Sequence, residues 1–233
     1  MRRLKELFIA ANPAQVLRIA VARAGSHHPA MASIYDLKPR FQALLRPLIA
    51  KLAGWGCTPN LVTSVALVLS LVVGLAILLQ HDRPAILLLL PVWLFLRMAL
   101  NAIDGMMARE LNMKSTLGAI LNESGDVVSD LALYLPLAVV DPPSLWWIIA
   151  FSFGAVLTEF CGVLAQALGA GRHYEGPMGK SDRAFFVGAV GLITPFATEV
   201  FKLWPVLFAT ATVLTLVTCF NRLNHALSEL RKR

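Results

Sequence analysis

The chain has 233 residues, of which 57% are hydrophobic and 15% charged, and its mean hydropathy is +0.66. A soluble domain of that composition would leave a large apolar surface in water, so the composition excludes an ordinary soluble protein and points to a membrane as the solvent. The net charge of +7 does not indicate nucleic acid, because the basic residues are sorted to one side of the apolar runs instead of forming a binding stripe.

Residues 1–33 read as a basic N-terminal extension. They lack the continuous apolar core of a secretory signal, so no cleavage is expected. Arg2, Arg3, Lys5, Arg18 and Arg23 suit a surface drawn to anionic lipid, and Met31 is an alternative start. Residues 34–57 read as an amphipathic interfacial helix. Leu37, Phe41, Leu44, Leu45, Leu48 and Leu52 share one face, with Lys38, Arg40, Arg46 and Lys51 mostly off it. Thr58-Pro59-Asn60 marks the entry to the next helix, with Thr58 as cap and Pro59 at the first helical position.

Residues 58–233 read as one membrane domain. Runs near the roughly 20 residues that cross about 30 Å of hydrocarbon predict six spans, at 61–79, 85–107, 117–139, 145–168, 184–201 and 203–220. The fold class expected is all-α: a polytopic protein embedded in the lipid bilayer, with six transmembrane helices after an N-terminal amphipathic helix. With both termini on one side, that side collects nine Lys/Arg before Trp55, two in 109–117, three in 171–183 and four in 222–233. The opposite connections carry only Arg83 and Lys202, so the crowded side, termini included, is predicted to be cytoplasmic. Trp146, Trp147 and Trp204 then fall at the outer interface, where indoles prefer to lie. Cys57, Cys161 and Cys219 are widely spaced without a Cys-x-x-Cys, which indicates neither a disulfide framework nor a zinc site.

Charges within membrane helices are costly, and here they gather in one region: Arg97, Asp104, Glu123, Asp126, Asp130 and Glu159 lie in or at the ends of spans. The stretch Asn101-Ala102-Ile103-Asp104-Gly105-Met106-Met107-Ala108-Arg109 is followed eight residues later by Gly118, and then by Asn122 and Asp126. This pattern resembles the signature of the CDP-alcohol phosphatidyltransferases, Asp-x-x-Asp-Gly-x-x-Ala-Arg, eight residues, then Gly-x-x-x-Asp-x-x-x-Asp. Asp104, Gly105, Ala108, Arg109, Gly118 and Asp126 match at the right offsets, and the likeness extends over roughly residues 34–222. An enterobacterial-type branch of the family that shares both asparagines is the nearest resemblance.

The resemblance implies transfer of a phosphatidyl group from CDP-diacylglycerol, or a similar CDP-alcohol, to an acceptor alcohol, with release of CMP during phospholipid biosynthesis. It also implies a multi-pass protein of the inner membrane, a homodimer, and an active site open to the cytoplasm. In typical members four carboxylates hold two divalent ions, Mg²⁺ or Mn²⁺. The metal candidates carried over are Asp104 and Asp126, with Asn101, Asn122 and Glu123 beside them. Asn101 and Asn122 stand where the signature has aspartate; an amide carbonyl still ligates, but two formal charges are lost, so weaker binding of at least one ion is expected. Asp126 is implied as general base, and Gly105, Ala108, Arg109 and Gly118 as contacts to the CDP moiety.

Helix geometry adds that Glu123, Asp126 and Asp130, spaced i, i+3 and i+7, share a face, which makes Glu123 a compensating ligand and Asp130 either a shifted ligand or a supporting partner. Arg97 lies on the stripe of Asn101 and Asp104, where it can satisfy a carboxylate in place of a metal; Glu159 reads as a structural polar partner. In the loop before the fifth span, Lys180 and Arg183 are candidate phosphate clamps, although basic residues belong on that side in any case. The two asparagines keep a second reading open, a non-catalytic relative that binds a CDP-lipid or a partner. A transporter is disfavoured by the lack of matching interrupted half-repeats.

Overall fold

A computed structural model describes residues 34–174 and 176–232, with side chains from Phe41 onward. The basic extension expected over residues 1–33 lies outside the described residues. The chain divides into two compact units, one ending at Arg46 and one running from Pro47. The first unit contributes the opening turns of helix α1, Ile34–Gly54. In the second unit α1 closes in a Schellman turn: Cys57 N–H donates to Leu52 O at 3.0 Å and Gly56 N–H to Ala53 O at 3.0 Å, with Gly56 at φ 77°.

The helices that follow are α2 (Pro59–Leu79), α3 (Leu89–Glu110), α4 (Thr116–Tyr134), a short α5 (Leu137–Val140), α6 (Leu145–Ala167), α7 (Lys180–Ile193) and α8 (Trp204–Leu230). Short 3₁₀ turns at Pro84–Leu88, Pro142–Ser144 and Thr198–Leu203 lead into α3, α6 and α8. The entry to α2 forms as its sequence dictates. Leu61 N–H donates to Thr58 Oγ1 at 3.3 Å, and Pro59 occupies the first turn, where a missing N–H costs nothing.

Four helical segments are long and apolar enough to cross a membrane: Pro59–Leu79, Pro84–Glu110, Pro142–Ala167 and Thr198–Leu230. Two of the expected spans differ from their reading. The predicted run 117–139 breaks after α4, where Pro136 removes a backbone donor, and its 19 residues carry Glu123, Asp126 and Asp130. The predicted run 184–201 contains only α7, which begins earlier at Lys180 and stops at Ile193, just before Pro195. At 14 residues α7 is about 21 Å long, short of the hydrocarbon thickness. The last helix continues ten residues past the predicted end at 220, because beyond Phe220 it buries Arg222 and Ala226.

The distribution of polarity is inverted relative to a soluble protein. Leu61, Val68, Val72 and Leu75 on α2, Phe95 on α3 and Phe220 on α8 are exposed, while Arg97, Asp104, Asp130, Glu159, Arg183 and Arg222 are buried. An apolar exterior around a charged interior matches hydrocarbon as the surrounding medium. Half of the bundle is packed by an aromatic core in which Phe151 meets Tyr134, Phe186 and Phe208 at centroid distances of 5.3–5.7 Å. Elsewhere α2 meets its neighbours through a side-chain hydrogen bond and a close backbone approach. Trp93 Nε1 on α3 donates to Ser70 Oγ on α2 at 3.0 Å, and at Gly74 a Cβ would collide with the carbonyl of Ala132 on α4. With α2 drawn tightly to α3 and α4, the signature residues of the last two helices face a common space.

Candidate active site

That space is a cavity of about 380 Å³ walled by α2, α3 and α4 and by the turn between the last two. Asn101, Asp104, Gly105, Ala108 and Arg109 line it from α3, and Gly118, Asn122 and Glu123 line it from α4. Asn60 and Thr63 complete the wall from α2. The turn is shaped locally: Asn112 adopts the left-handed conformation at φ 55°, and Ser115 caps α4 by accepting from Gly118 N–H at 3.0 Å. At Gly118 space is short, and Gly105 is closely covered. A Cβ on Gly118 would lie 2.5 Å from Asn60 Oδ1 and 2.9 Å from Ser115 Oγ. One on Gly105 would lie 3.3 Å from Arg109 Nη1, because that guanidinium folds back over the glycine.

In the cavity wall and behind it five carboxylates and five cations form ion pairs and hydrogen bonds in the low-dielectric interior, where an unmatched charge is expensive. Asp104 is held by Thr63, whose hydroxyl donates to Oδ2 at 2.7 Å. Asp126 accepts from Arg97 Nη2 at 3.3 Å and from Asn101 Nδ2 at 3.2 Å, both on Oδ1, while its Oδ2 is paired with Lys180. Asp130 lies between Arg97 at 2.5 Å and Arg183 at 3.0 Å. Glu159 meets Arg183 at 2.8 Å, Arg172 at 3.4 Å and Arg222 at 4.0 Å. Glu123 is bound by Arg172, whose Nη2 donates to Oε2 at 2.6 Å.

The site candidates from the sequence thus divide. Asn101, Asp104, Gly105, Ala108, Arg109, Gly118, Asn122 and Glu123 converge on the cavity. Asp126 stands one layer behind, touching the lining residue Asn101. Lys180 reaches Asp126 from the first turn of α7, which Asp182 caps by accepting from Gly179 N–H at 2.9 Å. Arg183 differs from the expected phosphate-facing clamp. It is fully buried, donating to Asp130, Glu159 and Thr158 Oγ1 at 2.7 Å, so its fork is spent on the protein itself. Asp130 is a supporting partner of Arg97 and Arg183, and both Arg97 and Glu159 are buried polar partners.

Sequence reasoning missed Thr63, Arg172 and Arg222 as members of this arrangement. Its place three residues after Asn60, on the same face of α2, was a signal for Thr63; the two arginines were hidden among residues that the positive-inside rule already explains.

Whether these residues fit a pair of divalent ions follows from the donors. Both oxygens of Asp126 already accept from cations or an amide, Glu123 is bound by Arg172, and Asn101 turns its amide nitrogen toward Asp126. Among the described residues no group of three or more His, Cys, Asp or Glu is arranged to hold a metal ion. The donor set does not form a two-ion cage.

A family model described as CDP-alcohol phosphatidyltransferase matches residues 57–221. The inner membrane protein YnbA of Escherichia coli is 47% identical over 190 residues, which cover 82% of this chain and 94% of that protein. An archaetidylinositol phosphate synthase of Aeropyrum pernix is 26% identical over 154 residues, 61% of this chain and 77% of that one. Among solved structures, a phosphatidylinositol phosphate synthase of Mycobacterium tuberculosis with CDP-DAG bound superimposes with a TM-score of 0.66 at 21% identity, covering 78% of this chain and 92% of its own. The same enzyme with manganese and citrate gives 0.66, again over 78% of this chain and 88% of its own. At that identity the likeness concerns the fold.

Proposed function

We infer, from the premise that this chain belongs to the CDP-alcohol phosphatidyltransferase family, that it transfers a phosphatidyl group from CDP-diacylglycerol to an acceptor alcohol and releases CMP. The observation that carries the reading is the convergence of the family's signature positions on one cavity, where Gly105, Ala108, Arg109 and Gly118 line a wall of nucleotide-compatible size. The cytidine and diphosphate lie beside the two glycines, with the Arg109 guanidinium, which folds over Gly105, turning outward to donate to phosphate. Asp126, whose Oδ2 meets Lys180 alone and keeps a second lone pair, accepts the proton of the alcohol; the alcohol oxygen forms a bond to the lipid-linked phosphorus, and the bond from that phosphorus to the bridging oxygen breaks, with the electron pair leaving on CMP. Most of the acceleration comes from positioning and from matching charge on the phosphates. The family is metal-dependent, but this donor set does not form the two-ion cage.

The reading includes a topology. Six passes cross the inner membrane of the cell, made by α2, α3, α4, α6 and α8 and by α7 together with residues 194–203 that follow it, with both termini and the cavity on the cytoplasmic side and α1 lying in the interface. The apolar exterior, the sorted basic residues and an inner membrane relative support it. The family likeness supports a homodimer.

The test is CMP release from radiolabelled CDP-diacylglycerol by the protein in lipid, with a pool of candidate alcohols, measured with Mg²⁺ or Mn²⁺ and again with EDTA. Asp126→Asn is expected to lower release by about a hundredfold or more while leaving nucleotide binding in place. A second reading, a CDP-lipid-binding relative without turnover, draws on Asn101 and Asn122 standing where the signature has aspartate. Binding without CMP release across all acceptors, and with a soluble CDP-alcohol and diacylglycerol as well, would select it.

A further inference from the structure

We propose that Lys180 and Arg97 supply, from within the chain, the positive charge that this site needs, so that CDP-lipid binding requires no divalent cation. The inference rests on the phosphatidyltransferase reading and concerns the same cavity. Three observations point to it together. Two of the four signature positions, Asn101 and Asn122, carry no charge. The remaining carboxylate nearest to α7, Asp126, has Oδ2 paired with Lys180 and Oδ1 accepting from Arg97 and Asn101. Asn101 donates its amide nitrogen to Asp126, where it occupies an acceptor site of the carboxylate and adds no negative charge.

The charge arithmetic is consistent across the two designs. Four carboxylates with two divalent ions are neutral overall, and so are the three carboxylates Asp104, Asp126 and Asp130 with the three monovalent cations Lys180, Arg97 and Arg183 that pair with the last two. A divalent ion entering here would have to strip both cations from Asp126 and then sit beside them where water screens little. Arg97 cannot swing away, because it is buried and also bridges to Asp130 at 2.5 Å and to the Asp126 carbonyl at 3.0 Å. Lys180 is held in place by its position in the first turn of α7, yet its side chain keeps 28% exposure. It also acts electrostatically on Asp104 in the cavity wall. An ammonium has three donors, and with one on Asp126 the others remain for phosphate oxygens.

The test uses the full chain in lipid nanodiscs freed of metal with EDTA. CDP-diacylglycerol binding is measured by equilibrium dialysis with EDTA and with Mg²⁺, and Mn²⁺ binding is followed separately by its electron paramagnetic resonance signal. The affinity for CDP-diacylglycerol is expected to agree within about twofold between the two conditions, and no stoichiometric Mn²⁺ site tighter than about 0.1 mM is expected. Lys180→Met should weaken CDP-diacylglycerol binding in EDTA by about tenfold or more. Replacing both amides, as Asn101→Asp with Asn122→Asp, should create a Mn²⁺ signal that the natural chain lacks.

Binding that falls tenfold in EDTA and returns with Mg²⁺, or a stoichiometric micromolar Mn²⁺ site in the natural chain, overturns the proposal while leaving the transferase reading intact. Absence of CDP-diacylglycerol binding under both conditions overturns the two together. The comparisons on the natural chain stand whether or not a variant folds.

Discussion

Arg183 separates a structural from a substrate-binding account of the charged interior, and Arg183→Met tests which holds. Methionine keeps an unbranched apolar stem but is shorter, and it removes donors to Asp130 at 3.0 Å, Glu159 at 2.8 Å, Thr158 Oγ1 at 2.7 Å and the Met178 carbonyl at 3.3 Å. Deleting one partner of a buried pair costs about 3–5 kcal/mol, because the charge left behind stays out of water. The lower end applies, since Asp130 keeps Arg97 and Glu159 keeps Arg172 and Arg222. For a chain of this size about 3 kcal/mol is a fall in Tm of about 6–12 °C. The assay is thermal unfolding in nanodiscs, followed by near-UV circular dichroism, on Arg183→Met, Asp130→Asn and the double variant. The double variant should be less destabilised than the sum of the singles by about 1 kcal/mol or more, because each single leaves the other charge uncompensated. A Tm within about 2 °C of the natural chain, with CDP-diacylglycerol binding lost, would refute the reasoning and return Arg183 to the role of phosphate clamp.

Other substitutions probe the cavity and the packing that forms it. Gly118→Ala puts a methyl group 2.5 Å from Asn60 Oδ1 at the cavity wall, and should weaken CDP binding by about tenfold with little change in Tm, as read by nucleotide titration. Thr63→Val removes the hydroxyl that donates to Asp104 at 2.7 Å; CDP-diacylglycerol affinity should drop by about five- to tenfold, checked by the same dialysis. Gly74→Ala drives a Cβ into the Ala132 carbonyl and forces α2 away from α4, with an expected loss of about 2 kcal/mol in a denaturant or thermal titration.

Much of this protein is local and therefore legible in the chain itself. The hydropathy that makes α2, α3, α6 and α8 capable of crossing a membrane is a property of each segment alone, and so is the Thr58-Pro59 start of α2. Family membership was equally local: six matched residues within residues 104–126 are a linear pattern, and it is the one that the family match over 57–221 bears out. The ends of α4 and α7 were harder, because an apolar run continues through Pro136 and Pro195 while the helical hydrogen bonds do not.

Tertiary structure alone decided how the charges pair. The sequence places Arg97 and Asp126 on helical stripes, but which stripe meets which depends on how the bundle brings α2, α3 and α4 together. Arg172 and Arg183 were counted as cytoplasmic basic residues, and only the packed bundle carries one between Glu123 and Glu159 and buries the other against Asp130. A linear pattern registers that a residue is charged; whether that charge faces substrate, lipid headgroups or a buried carboxylate is set by the electrostatics of helices brought together from distant parts of the chain.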